Sequence, residues 1–242
     1  MNNKMHALYR FFPKTKEELV EIIKAEVERK GWECSLNHID TSQITDMSFL
    51  FSSDICDYHL GKFNGDISRW DVSNVTNMSG MFYSSLFDGD ISKWNVNNVL
   101  YMQSMFEFAE SFNQPIGDWN VSKVIDMGYM FHGAISFNQP IGDWDVSKVI
   151  DMGYMFQRAS SFNQPIGNWD VSNVTDMGYM FEFAGAFNQP IGDWDVSNVK
   201  NMNSMFYAAN SFNNDLSYWH INQDCDTKHM FNICPIKEEF KP

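Results

Sequence analysis

The sequence predicts an α/β solenoid: a right-handed array of about eight stacked 25-residue coils, each a strand plus a short helix, behind an N-terminal capping helix. Three observations carry this. Seven of the eight tryptophans, Trp70, Trp94, Trp119, Trp144, Trp169, Trp194 and Trp219, lie 24 and then five times 25 residues apart. Around each of them the same residue pattern returns. Within a unit, a strand-like and a helix-like hydrophobic spacing stand side by side. A fixed period of this length marks a chain that buries its apolar faces by stacking units rather than by enclosing one core.

Residues 1–38 precede the array. Thr15-x-x-Glu18 forms a capping box just after Pro13, Leu19, Ile22, Ile23 and Val27 make an apolar stripe, and Gly31 follows Arg29-Lys30. These signals predict a helix over about 15–30 that covers the first coil. The array takes residues 39–231. Its first unit is degenerate: Ile39 to Ile44 replaces the tryptophan start, Met47 and Leu50-Phe51 match the helix, and about six extra residues fall between Asp54 and Gly61. The regular unit reads Phe112-Asn113-Gln114-Pro115-Ile116-Gly117-Asp118-Trp119-Asn120-Val121-Ser122-Lys123-Val124, then Met127, Met130, Phe131 and Ala134. Pro115 has no N–H, so a strand is placed near Ile116 to Val121. The i, i+3, i+4, i+7 spacing of the last four residues predicts a short helix. Strands about 4.8 Å apart would make a rod on the order of 40 Å long. The last unit starts at Trp219 and leaves the pattern at Pro235, and residues 232–242 form a tail.

The net charge of −14 lies in the array, because residues 1–38 hold seven Lys/Arg against six Glu. Such a surface repels phosphate backbones and anionic lipid, so neither nucleic acid nor a membrane surface is expected as partner. No stretch approaches the roughly 20 apolar residues of a membrane span, and Met1 to Phe12 lacks a signal-peptide core, which points to the cytoplasm.

At the repeated residues the chain resembles the BspA-type leucine-rich-repeat surface proteins, in the branch whose units read F-N-x-x-I-x-x-W-D-V-S-N-V-x-x-M-x-x-M-F. The match covers roughly residues 39–231. The resemblance implies a leucine-rich-repeat-like solenoid with a parallel sheet on one face, in bacterial proteins often displayed at the cell surface and engaging host molecules or other proteins.

Candidate chemistry is confined to surface rows. Asn64, Asn113, Asn138, Asn163, Asn188 and Asn213, with Asp88, suggest a ladder that satisfies turn backbone between coils. Asp118, Asp143 and Asp193 precede tryptophans, while Asp71, Asp145, Asp170 and Asp195 follow them. Asn95, Asn120, Asn168 and His220 interrupt these rows, which favours a solvated face over calcium. Tyr129, Tyr154 and Tyr179 share one unit position, and Phe108 and Phe183 are likewise expected to point outward, where they would hold a partner or stack on one another. The site residues read from sequence are therefore Tyr129, Tyr154, Tyr179, Phe108, Phe183, Asp145, Asp170 and Asp195. Cys34 and Cys56 lie near one end and Cys225 and Cys234 near the other, too far apart to bridge between ends, and free thiols are expected. His220, Cys225, His229 and Cys234 lack the paired C-x-x-C of a zinc knuckle, so no metal is expected. No nucleophile elbow, phosphate loop or H-E-x-x-H is present, and near-identical units do not build one unique catalytic centre. The expected function is non-enzymatic binding of a protein partner through an acidic and aromatic face, without a cofactor. The alternative is a carbohydrate-binding or adhesin-like protein using the Trp/Asp/Asn rows.

Overall fold

The computed structural model describes residues 9–53 and 59–242, so Cys56 and most of the insertion expected at 54–61 lie outside the described residues. Helix α1 runs Lys16–Lys30. Its start is fixed by Thr15 Oγ1, which accepts the Glu18 N–H at 3.3 Å, while Glu18 Oε2 accepts the Lys14 N–H at 2.7 Å. The first bond satisfies an orphan donor of the first turn, and the second ties down the residue just ahead of the cap. Gly31 ends the helix at φ 88°, its N–H on the Val27 carbonyl. Leu19, Val20, Ile23 and Val27 are buried beneath α1. An ion cluster anchors its far end: buried Glu26 meets Arg29, Lys30 and His38 Nε2. Burial alone would raise the Glu26 carboxyl, but Lys30 and Arg29 hold it down to about 2.

Beyond α1 the chain passes repeatedly through the same positions, one turn on. Parallel bridges join Asp46, Asn77, Tyr101, Asp126, Asp151, Asp176, Asn201 and Asp226 in series. Each coil contributes a single bridging residue. Of the two elements expected per coil, neither forms among the described residues. Ile116 to Val121 is a turn, closed by the Trp119 N–H on the Ile116 carbonyl at 3.1 Å. The segment Met127 to Ala134 is not helical either. Its N–H groups alternate: Met127, Tyr129, Phe131 and Gly133 donate to Asp151, Gly153, Met155 and Gln157 of the next coil, and Met130, His132 and Ala134 donate three residues back. Tyr129 at φ 60° and Gly133 at φ 68° reverse the chain so that every second donor faces the neighbouring coil. A helix would spend those donors internally and leave adjacent coils unjoined. The four apolar positions read as a helical face are nonetheless all buried.

The core is a set of ladders parallel to the stacking direction. Phe82, Phe106, Phe131, Phe156, Phe181 and Phe206 stack near-parallel with centroids 5.5 to 5.7 Å apart. Phe112, Phe137, Phe162 and Phe187 form a second column, and the columns touch at 3.9 to 4.0 Å between Phe106 and Phe112, Phe131 and Phe137, and Phe156 and Phe162. Each buried tryptophan has one polar atom to satisfy. Trp119, Trp144, Trp169, Trp194 and Trp219 all donate Nε1–H to the isoleucine carbonyl of the preceding unit, at 3.1 to 3.2 Å. Gly117, Gly142, Gly167 and Gly192 permit this spacing, since a Cβ there would fall 2.2 to 2.5 Å from a backbone oxygen of the next coil.

Candidate interaction face

The two positive-φ positions of each coil set up one face. The first is filled by Phe49, Gly80, Ser104, Tyr129, Tyr154, Tyr179, Ser204 and His229 in successive coils. The backbone there favours glycine, and a left-handed conformation costs an ordinary L-residue about 1–2 kcal/mol. Three consecutive coils nevertheless carry tyrosine where their neighbours carry serine. Tyr129 and Tyr154 stack at 4.3 Å and 7°, Tyr154 and Tyr179 at 4.6 Å and 10°. Tyr129 is 37% exposed and the other two are half-buried. The tyrosines thus stack on one another and still present an aromatic wall.

Beside this wall runs a carboxylate column that the sequence reading passed over. Asp126, Asp151 and Asp176 are the bridging residues three positions before the tyrosines. Oδ1 of each accepts the N–H of Gly128, Gly153 or Gly178 at 2.8 to 3.0 Å. The glycines are buried under the carboxylates: Asp151 Oδ1 and Asp176 Oδ1 lie 3.2 and 3.1 Å from where a Cβ of Gly153 would stand. No ion pair among the described residues involves these three aspartates. Burial raises the carboxyls of Asp126 and Asp151, with Asp126 and Asp176 adding to the rise at Asp151. Burial also raises Tyr129, and together with the adjacent tyrosines and Asp176 it pushes Tyr154 up to about 12. The column ends at Asn201, whose Nδ2 donates to both oxygens of Asp176 at 3.0 and 3.1 Å. The available signal was an Asp or Asn directly before the first Met of six units, two residues ahead of a glycine in the three tyrosine-bearing coils.

The remaining sequence-predicted residues sit elsewhere or do other work. Phe108 is partly buried against His132 at 4.5 Å and edge-on to Tyr83. His132 Nδ1 in turn meets Glu107 Oε1 at 3.0 Å. Phe183 is 42% exposed, under the Arg158 guanidinium at 5.7 Å. Asp145, Asp170 and Asp195 are exposed, and each accepts the N–H of the serine two residues on, at 3.1 Å. These bonds close a turn, and the serine hydroxyls, together with them, hold Asp145 and Asp195 below the usual carboxylate range. The tryptophans offered as a ligand row are 3 to 5% exposed, because their faces fill the core. The asparagines form a chain, each of Asn113, Asn138 and Asn163 accepting the N–H of the next coil's asparagine through Oδ1. Cys34, Cys225 and Cys234 are free thiols, and among the described residues no three His, Cys, Asp or Glu group as a metal site. No helix among the described residues is long and apolar enough to cross a membrane.

One-residue bridges that recur every 24 or 25 residues from Asn77 onward, with side-chain columns in register, define a repeat protein. The chain belongs to the family described as Mycoplasma protein of unknown function, DUF285, whose model matches residues 22–141 and again 130–240. Two overlapping matches along one chain fit a repeat-type family. No curated protein matches the chain, and no solved structure does.

Proposed function

We propose that this chain is a non-enzymatic solenoid that binds the basic segment of a protein partner along the tyrosine wall and carboxylate column of residues 126–179. The observation that carries this reading is the pairing of Tyr129, Tyr154 and Tyr179 with Asp126, Asp151 and Asp176, three half-buried carboxylates without a cation. An arginine or lysine side chain laid between the columns would gain cation–π contact on one side and charge on the other. Three near-identical subsites suit a partner with several such residues, since weak contacts add by avidity. The near-copied units also support the non-enzymatic reading, because catalysis needs unlike groups converging at one place. The F-N-x-x-I-x-x-W-D-V-S-N-V units support the finer assignment to the BspA-type leucine-rich-repeat branch, while the family match supports a repeat-type family.

Titrating an (Arg-Gly)4 peptide into tyrosine-labelled protein tests the reading. The ring signals of Tyr129, Tyr154 and Tyr179 should move, more strongly at low salt, and (Glu-Gly)4 should leave them still. Equal responses to both peptides would defeat it. A carbohydrate reading is favoured by one separate observation, a hollow of about 460 Å³ lined by Gly167, Gly192, Asn168 and Asp193 beside Tyr218, which is 78% exposed. A glycan array without binding would remove that alternative.

A further inference from the structure

The two ends of the stack are unlike. At the N-terminal end α1 lies over the first coil, its apolar side buried and Lys16 Nζ on Ser48 Oγ at 2.9 Å. At the other end the ladder stops without a cover. Met202, Ser204, Phe206 and Ala208 donate to the carbonyls of Asp226, Lys228, Met230 and Asn232 at 2.8 to 2.9 Å. The equivalent N–H groups one coil on, those of Thr227, His229, Phe231 and Ile233, have no acceptor among the described residues. The coil that carries them keeps the ladder conformation. Met230, Asn232 and Cys234 donate three residues back, and His229 and Ile233 hold φ 59° and 58°.

The side chains tell the same story. Ile233 is 69% exposed, and Phe231 and Ile221 are partly exposed where Phe206 and Val196 are buried. The tail covers only the far side of this end. Phe240 accepts the Leu216 N–H, Lys237 N–H closes the asparagine column on Asn213, and Lys241 Nζ reaches to 5.9 Å from the Phe231 ring. Apart from the Phe231 ring, residues 227–233 stay outside that cover.

We infer that this edge is a docking site for another polypeptide, which adds one further coil built on the same Met-x-x-Met-Phe turn. Four carbonyls on alternate residues are needed, and within this molecule the repeat's own turn is what supplies them, coil after coil. A second copy of the chain does not fit. Stacked head to tail it would bring α1, about 10 Å across, into a gap of about 4.8 Å. Stacked tail to tail it would set donors against donors. Open edges of this kind template pairing, and here the register is already set.

The test uses the full chain, ¹⁵N-labelled, and a synthetic 25-residue peptide with the sequence of residues 144–168. At saturating peptide, exchange of the Thr227, His229, Phe231 and Ile233 amides should slow at least about tenfold, with those of Met202 and Ser204 unchanged. Ile233→Asp should weaken the peptide at least about tenfold without lowering the melting temperature. Should that variant fail to fold, Ile233→Asn, which tolerates the positive φ, replaces it. The inference is overturned if the peptide leaves the four amides unprotected, or if they are already protected in dilute free protein. It is equally overturned if protection rises with protein concentration alone, which would make the occupant a second copy.

Discussion

Replacing Asp151 with asparagine should make the array more stable and its proposed ligand weaker. Asp151 stands between Asp126 and Asp176. Its Oδ1 is no more than about 6.3 Å from that of Asp176, and about 6.7 Å from that of Asp126, since each pair lies within 3.4 Å of a single point above Gly153 or Gly128. Two unit charges about 6.5 Å apart repel by about 0.6 kcal/mol in bulk water and about 2.6 kcal/mol at an effective dielectric of 20, before screening. For a half-buried site with two such neighbours the relief is about 1–2 kcal/mol. Asparagine keeps the acceptor for the Gly153 N–H and adds a donor, as Asn201 already does toward Asp176. The melting temperature at pH 7 should rise by about 3–6 °C. The pH dependence has a definite sign. Because burial raises the Asp126 and Asp151 carboxyls, the folded wild type takes up protons and gains stability as pH falls through those raised values toward the ordinary range. The advantage of Asp151→Asn therefore shrinks on acidification. Thermal unfolding at pH 7 and pH 4 measures both effects. A melting temperature below wild type at pH 7, or an advantage independent of pH, would refute the electrostatic reasoning and leave the column as turn structure only.

Gly142→Ala should cost at least about 2 kcal/mol in chemical denaturation, because its Cβ would stand 2.3 Å from the Pro165 carbonyl oxygen and force two coils apart. Gly185→Ala, with nothing within 4 Å, is the matched control and should be near neutral. Asn138→Ala strips the acceptor from the Asn163 N–H and from Gln164 Nε2 and should destabilise by about 1–3 kcal/mol. The Glu26 cluster behaves oppositely to the aspartate column. A carboxyl held at about 2 against an ordinary 4.5 contributes on the order of 3 kcal/mol above pH 4.5, lost as pH falls toward 2. Glu26→Gln should remove that step from the acid unfolding of α1 followed by circular dichroism.

The period, the apolar positions and the capping signals of α1 were legible because each rests on residue type at a fixed spacing. The conformation within a coil was not. Met127, Met130, Phe131 and Ala134 have helical spacing, and a turn ladder buries the same four residues. What separates the two is the destination of every second N–H, which depends on a neighbour 24 residues away and on positive φ at Tyr129, a residue type that gives no hint of it. Likewise Asp145 and Asp151 are both repeated acids in sequence. One closes an exposed turn, and the other is stacked over its own glycine between two like charges. Only the coil-to-coil register distinguishes them.

The most direct measurement of the central proposal compares wild type with the Tyr129→Ser, Tyr154→Ser, Tyr179→Ser triple variant in calorimetric titrations with (Arg-Gly)4 at low and physiological salt. Ser104 and Ser204 already occupy this position, so the variant should fold. The account predicts affinity lowered at least about tenfold, with a residual salt-dependent part from the carboxylates. Unchanged affinity in the folded variant would contradict it.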